Sequence, residues 1–416
     1  MGKGKEEMCN WTIWCTQNVL LSAFLLPFSE NTKHKVFKKA CASTDFFLKD
    51  YGEDGCCDEG AQYYRHAGLC LYQTLDILNH ITDGYFNSLW DDEKIKNMAL
   101  YILNVHVDDK YYINFADCSP VAGRAGIREY LFGKACGLDN LAKFAALDYK
   151  RNPEKFQPDE NNLYYRLQEV FTRKDILSED TDAPILHPHV FYSSVGLWIA
   201  RNDTYTAAAK CGDNNDSHNH NDTGSVTLFK NGCPFLADIG VERYTKKTFS
   251  AQRYEIWTMQ SDYHNLPTIN GIMQMNGAEY QATDISHCFT EDGGRISMNI
   301  AKAYPSDAHI EKYTRNVILS DSGLEITDSW SFDDKINHPV ILNFITYEKP
   351  AFSEDTPNIL RIGELGSLLL PLDYQASNIR IEELPITDPR LMQCWKHSLY
   401  RIRIAVPENA DSIQIM

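Results

Sequence analysis

The sequence lacks an apolar run long enough to cross a bilayer, for which about 20 consecutive residues are needed. Its best candidate, residues 19–28, is too short, is interrupted by Pro27 and lies behind Glu6 and Glu7, so it reads neither as a membrane span nor as a secretory leader. Positive charge is scarce as well. Forty basic side chains stand against 57 acidic ones, a net of −17, which excludes a general electrostatic grip on nucleic acid or on an anionic membrane. The 12 cysteines include the adjacent pair Cys56-Cys57 but no CxxC spacing, and read mostly as reduced, buried thiols. A phosphate-binding glycine loop, a GxSxG elbow and an HExxH helix are all missing. Glycine and proline, at 23 and 16 residues, are too ordinary in number for a low-complexity chain.

What remains is 416 residues, 43% hydrophobic and 12% aromatic, enough to build two packed domains. Up to about residue 172 the apolar residues recur at intervals of three and four, as in Trp11, Trp14, Val19, Leu20 and Phe24, or Leu69, Tyr72, Leu75, Leu78 and Ile81. Breaks near 27–33, 51–58, 82–84, 108–110, 117–126 and 152–162 divide this part into about six or seven helices joined as hairpins. Past Asp182-Ala183-Pro184 the pattern shortens and alternates, with turn pairs such as Asn231-Gly232, Asp292-Gly293 and Ser322-Gly323 between the runs. A helical domain over 1–178 and an antiparallel β-sandwich over 185–416 are the expectation. Met1-Gly2 resembles a myristoylation start but has Glu6 where Ser or Thr is wanted. With no targeting element legible, the chain reads as cytoplasmic, although its abrupt start in an apparent helix fits a piece of a longer parent.

The densest polar cluster is His218-Asn219-His220-Asn221-Asp222-Thr223-Gly224-Ser225, followed by Asp238, Tyr244, Arg253-Tyr254 and His264. Side chains two apart share a face of an extended strand, so His218 and His220 would point the same way. Asp238 and His264 could then close a His/Asp/His set, which suits zinc.

The segment 218–274 resembles the signature of the heparinase II/III-like polysaccharide lyases. Asp58-Glu59-Gly60-Ala61-Gln62-Tyr63-Tyr64-Arg65 is similar to that family's stretch around its catalytic tyrosine, and Tyr112-Ile113-Asn114-Phe115-Ala116-Asp117-Cys118 is also similar to relatives. The likeness covers nearly the whole chain. It implies an N-terminal incomplete (α/α) toroid followed by an antiparallel β-sandwich, the order read above. It also implies a carbon-oxygen lyase that cleaves 4-linked uronic-acid glycans by β-elimination, with an anionic oligo- or polysaccharide as substrate. His220, Asp238 and His264 match the family's zinc ligands, the zinc having a structural role, and His218 matches its working histidine.

Elimination removes the weakly acidic C5 proton beside a carboxylate and expels the C4 oxygen, so the carboxylate charge must first be offset by amide, guanidinium or imidazolium donors. On the resemblance, Tyr63 is the acid and, in a syn elimination, also the base, with Arg65 two residues on. A guanidinium nearby would favour the phenolate against its ordinary pKa of about 10. Asn10 is preferred to Asn18 as the carboxylate neutraliser, but Trp11 stands where the family often has His, which leaves His218 as base or charge stabiliser and the direction of elimination open. Tyr244 and Tyr254 both match tyrosines that line the relatives' site; Tyr254 ranks slightly higher, and Arg253 is a candidate second contact to the carboxylate. The competing readings are a non-catalytic, carbohydrate-binding relative and a toroid glycoside hydrolase, for which Asp58, Glu59 and Asp222 are available without a defensible pattern. No nucleic acid or membrane insertion is expected, and a homodimer is left open.

Overall fold

The computed structural model describes residues 9–152, 162–334, 336, 338–353, 356, 358–372, 374, 376–408 and 410–416. The Met1-Gly2 start and most of the 152–162 break lie outside these residues. Two compact units emerge: Met1–Asn104 with Gly123–His187, and Val105–Ala122 with Pro188–Met416. The segment 105–122, counted by position in the helical domain, thus groups with the β-rich unit.

The first unit is helical. Its helices are α1 (Asn10–Leu25), α2 (Glu30–Asp50), α3 (Gly68–Ile81), α4 (Glu93–Val105, ending at the unit boundary), α5 (Ile127–Ala135), α6 (Asp139–Arg151) and α7 (Leu163–Ser178). Their ends follow local chemistry. Pro27 cannot continue α1, and Ser29 then caps α2 by accepting the Thr32 amide at 3.3 Å. Asn162 caps α7 in the same way, through the Tyr164 amide at 3.0 Å. The turn between α5 and α6, missed in the periodicity, closes on Gly137 at φ +66°. Helix α3 is buried on nearly every face, whereas α7 leaves Leu163, Val170 and Phe171 exposed by 72%, 65% and 79%, an apolar stripe that breaks the usual amphipathic rule.

The second unit is antiparallel β. One five-stranded sheet runs Thr283–Thr290, Gly293–Asn299, Ile310–Ser320, Gly323–Phe332 and Ser412–Ile415. A four-stranded sheet runs Ile379–Leu384, Leu399–Ala405, Val340–Thr346 and Pro267–Ile269, and a second five-stranded sheet is built from segments between Val190 and Leu236. Trp198, Leu228, Val317, Ile326, Phe344 and Ile402 bring all three sheets into one core. Alternation is cleanest in Gly323–Phe332, where Leu324, Ile326, Asp328, Trp330 and Phe332 all point inward. Asp328 is charged yet fully buried, because Arg315 lies directly opposite it in register. The Arg315 Nε and Nη2 atoms donate to Asp328 at 2.9 and 2.7 Å, and Nη1 donates to the Gly224 and Asn265 carbonyls at 2.9 and 2.7 Å. The Asn231-Gly232 hairpin has both residues left-handed, φ +49° and +75°, as a type I′ turn requires. All 12 cysteines are free thiols, and seven of them are buried. Among the described residues no helix is long and apolar enough to cross a membrane.

Candidate active site

In the β-rich unit the organising group is Asp117, a fully buried carboxylate delivered by the 105–122 segment. Its Oδ2 lies 2.7 Å from His218 Nδ1; its Oδ1 lies 3.1 Å from His220 Nε2 and accepts from Arg253 Nη2 at 2.6 Å. Burial alone would raise this carboxyl, but the hydrogen bonds from His218, His220 and Arg253 outweigh it and hold Asp117 well below the usual carboxylate range. With Nδ1–H of His218 donating to Asp117, the basic lone pair of that ring sits on Nε2. His218 itself has a left-handed backbone, φ +57°, which is uncommon outside glycine. Arg253 supports that conformation by donating through Nη2 to the His218 carbonyl at 2.7 Å and through Nε to the Asn219 carbonyl at 3.0 Å.

Arg253 is therefore turned inward, onto Asp117 and the carbonyls of His218 and Asn219. The two tyrosines also separate. Tyr244 places its hydroxyl 3.5 Å from His218 Nδ1, stacks with that ring at 6.1 Å between centroids, and has the Arg390 guanidinium over its own ring at 4.9 Å from the centroid. Tyr254 meets Asn219 instead, at 3.5 Å. Of the two, Tyr244 is the one beside His218. Asp117 was quoted in a motif but given no role, because a buried carboxylate 101 residues from its histidine leaves no spacing signal.

Behind this group, His220 and His264 are both fully buried, with ring centroids 5.4 Å apart. Asp238 Oδ2 takes His264 Nδ1 at 2.9 Å, while its Oδ1 accepts from Asn114 Nδ2 at 2.8 Å and from the Gly240 amide at 2.9 Å. Burial would raise Asp238 and lower His264, but their mutual attraction reverses both shifts, lowering the carboxyl and raising the imidazole. His220 Nδ1, His264 Nε2 and Asp222 Oδ1 are buried with no hydrogen-bond partner. Two imidazole nitrogens and a carboxylate oxygen left in this way are the donor types zinc takes, and the chemistry of the set fits that ion. In this arrangement, however, neither His220, Asp238 and His264 nor His220, His264 and Asp222 bring one donor each within 4.8 Å of one another. Asp238 orients the His264 ring, and Asp222, whose carboxyl is pushed up by burial, is the additional acidic group that spacing did not identify.

In the helical unit, Tyr63 lies in the turn before α3 and is half-buried, not on a helix as periodicity suggested. Its neighbour Tyr64 is the core residue, fully buried and donating to the Ala99 carbonyl at 3.2 Å. Arg65 Nη2 donates to the Arg124 carbonyl at 3.2 Å and lies against Gly123, where an added Cβ would come within 2.0 Å of it. Asn10 opens α1 and donates to the buried Glu59 at 2.9 Å. Asn18 is occupied elsewhere, accepting from Asn162 at 3.3 Å. One helical turn beyond Asn10, Trp14 packs on His66 with centroids 4.1 Å apart, which brings to α1 an imidazole that the Trp11 substitution had removed from the expected pattern.

Residues 184–355, in the β-rich part of the chain, match the family model described as Heparinase II/III-like, C-terminal. Solved structures agree with the fold at low identity. A heparinase III gene product is 14% identical with a TM-score of 0.67, the match covering 99% of this chain and 59% of that one. A heparan sulfate lyase mutant from Pedobacter heparinus is 13% identical with a TM-score of 0.66, covering 99% and 60%, and a further heparinase III is 15% identical with a TM-score of 0.61, covering 99% and 61%. The chain thus spans about 60% of the length of these structures. None of the curated proteins matches it.

Proposed function

We propose that this chain is a polysaccharide lyase that cleaves 4-linked uronic-acid glycans by β-elimination, with its helices forming part of an (α/α) toroid. The observation that carries the reading is the Asp117 and His218 pair, whose histidine lies in the family-matched residues 184–355: a buried carboxylate fixes the imidazole tautomer and leaves a basic nitrogen, the arrangement a proton-abstracting group needs. His218 takes the C5 proton or stabilises the charge that develops beside it. Tyr63 protonates the departing C4 oxygen, and the Asn10 amide offsets the uronate charge, with His66 as the nearby imidazole. The bonds broken are C5–H and C4–O, and the product gains a C4=C5 double bond, with no water consumed. Arg65, held on the Arg124 carbonyl, acts by fixing the segment that carries Tyr63.

His220, Asp238 and His264 would hold a zinc ion, with Asp222 as a further buried carboxylate close to the two histidines. When bound, it would tie the 218–225 loop to the 264 segment as a structural element. The substrate class is proposed as heparan-type or other sparsely sulfated uronides, since a net charge of −17 disfavours a densely sulfated chain.

The test is ultraviolet detection of the C4=C5 bond with a panel of uronides, beside the Tyr63→Phe variant. Absorbance that rises with one substrate and is abolished in Tyr63→Phe is expected. Sugar release without that absorbance would mean hydrolysis, and silence from folded, metal-loaded protein would leave a binding-only relative.

A further inference from the structure

A second histidine cluster lies on the surface of the β-rich unit, apart from every residue used above. His309 ends the short helix 306–308 and directly precedes the strand Ile310–Ser320; Asp334 and His338 lie in the connection from Gly323–Phe332 to Val340–Thr346. One donor atom from each of the three lies within 4.8 Å of the other two. Asp334 Oδ2 is 2.8 Å from His338 Nε2 and 3.7 Å from His309 Nδ1. Around a zinc ion with bonds of about 2.0–2.1 Å, tetrahedral donors stand roughly 3.3–3.5 Å apart, so the two separations bracket the edge of such a polyhedron.

Several features hold the donors in place without a metal. His309 and His338 stack with centroids 5.1 Å apart and planes 11° from parallel, and Phe332 packs edge-on against His338 at 5.0 Å. Asp334 Oδ1 is turned away to accept the Ile336 amide at 3.0 Å, which leaves Oδ2 toward both imidazoles. Asn270 joins the two loops, its amide donating to the Pro339 carbonyl at 2.8 Å and its Nδ2 to the Asp307 carbonyl at 3.1 Å. His309 is held at φ +54°, a left-handed conformation that a β-strand entry does not require and that turns its ring toward the connection. Asp333 Oδ1, 3.2 Å from His309 Nδ1, stands beside the group as a further carboxylate.

We propose that His309, Asp334 and His338 form a binding site for a divalent transition metal of the zinc type. The strand entry at Ile310 belongs to the five-stranded sheet, and the connection at His338 leads into the four-stranded one. A bound ion clamps that sheet-to-sheet crossover. Two imidazoles and one carboxylate leave at least one coordination position to water, so the site takes the metal alone and does not depend on the lyase reading.

The experiment is zinc titration of the chelated, full-length protein by calorimetry, with cobalt absorbance as a second signal and the melting temperature as a third. The double variant His309→Ala with His338→Ala is compared with the unaltered chain and with Asp334→Asn. Loss of one equivalent of bound zinc in the double variant, with loss of the corresponding zinc-induced rise in melting temperature, is expected; Asp334→Asn should retain the imidazoles but bind more weakly. Because the side chains are at the surface, both variants should match the unaltered chain in circular dichroism without metal. If the double variant binds as many equivalents as tightly and gains as much in melting temperature, the proposal is overturned, whatever the buried histidines bind.

Discussion

At the scale of single residues, Asp117 and Tyr244 decide what His218 can do. An Asp117→Asn change keeps the size of the side chain but removes the charge that fixes the His218 tautomer, so kcat on the uronide that gives product should fall by about 10²-fold or more, with KM changing little. Tyr244→Phe should reduce kcat more than Tyr254→Phe, because only Tyr244 has its hydroxyl 3.5 Å from the His218 ring. Steady-state rates on the three variants check both statements, and equal losses at the two tyrosines would refute the second. The residues at this site were unevenly legible. His218 and His220 stand out in sequence because they sit in one short polar segment, and Asp238 and His264 follow it in the stretch that carries the resemblance. Asp117, Asp222 and Arg253 do not show their roles, since an inward-facing carboxylate or guanidinium has the same spelling as a solvated one. Tyr63 and Arg65 are two residues apart in the motif but differ in setting: one is half-buried in a turn, the other lies along the backbone of residues 123–124.

At the scale of elements, close backbone contacts carry costs that composition hides. Gly196, at φ +60°, has its carbonyl 2.6 Å from the Cys211 amide, and a Cβ there would come within 2.2 Å of the Gly212 nitrogen. Gly196→Ala should therefore destabilise the unit by about 1 kcal/mol or more, read as a shift in denaturant midpoint. A second case is the edge strand Ile379–Leu384. Glu382 pairs in register with Arg401 and accepts from it at 2.9 Å, with Arg380 3.1 Å away and Arg403 3.8 Å away. Burial would raise its carboxyl, but the arginines prevail and lower it. A carboxyl whose folded pKa is depressed contributes stability above its unfolded pKa, about 4.3, and loses it as pH falls through the folded value. The stability difference between the unaltered chain and Glu382→Gln should thus be largest near pH 6 and shrink as the pH falls below about 4. Thermal melts across that range test it, and a constant difference would exclude the linkage. Helix and strand runs were largely readable because burial imposes their periods: Asn231-Gly232 turns a hairpin as expected, and Pro27 ends α1 near the expected break. The α5 to α6 turn escaped notice because Cys136 and Leu138 keep the apolar rhythm going through it.

At the scale of the whole molecule, sequence pattern could order helices before sheets but could not show that residues 105–122 group with the β-rich unit. That grouping depends on long-range partners, such as Asn114 with Asp238 across 124 residues, which periodicity does not register. Nor could composition reveal the exposed apolar stripe on α7, since the same leucines and phenylalanine would read identically if covered.

The buried Arg315 and Asp328 pair bears on how the protein fails. Because one guanidinium serves both the core strands and the carbonyls of Gly224 and Asn265, the backbone beside His264 and at the end of the 218–225 loop cannot loosen while the strands stay paired. Removing the arginine leaves Asp328 buried without its counter-charge, a loss of about 3–5 kcal/mol. Amide exchange at Asn265 should then report the same opening free energy as the strand interior in the unaltered chain, and Arg315→Met should accelerate both together. Loosening of the histidine-bearing segments and loss of sheet structure on heating would accordingly follow a single rate, so that the protein's working lifetime is set by its β-sheet core and not by the loops that carry its histidines.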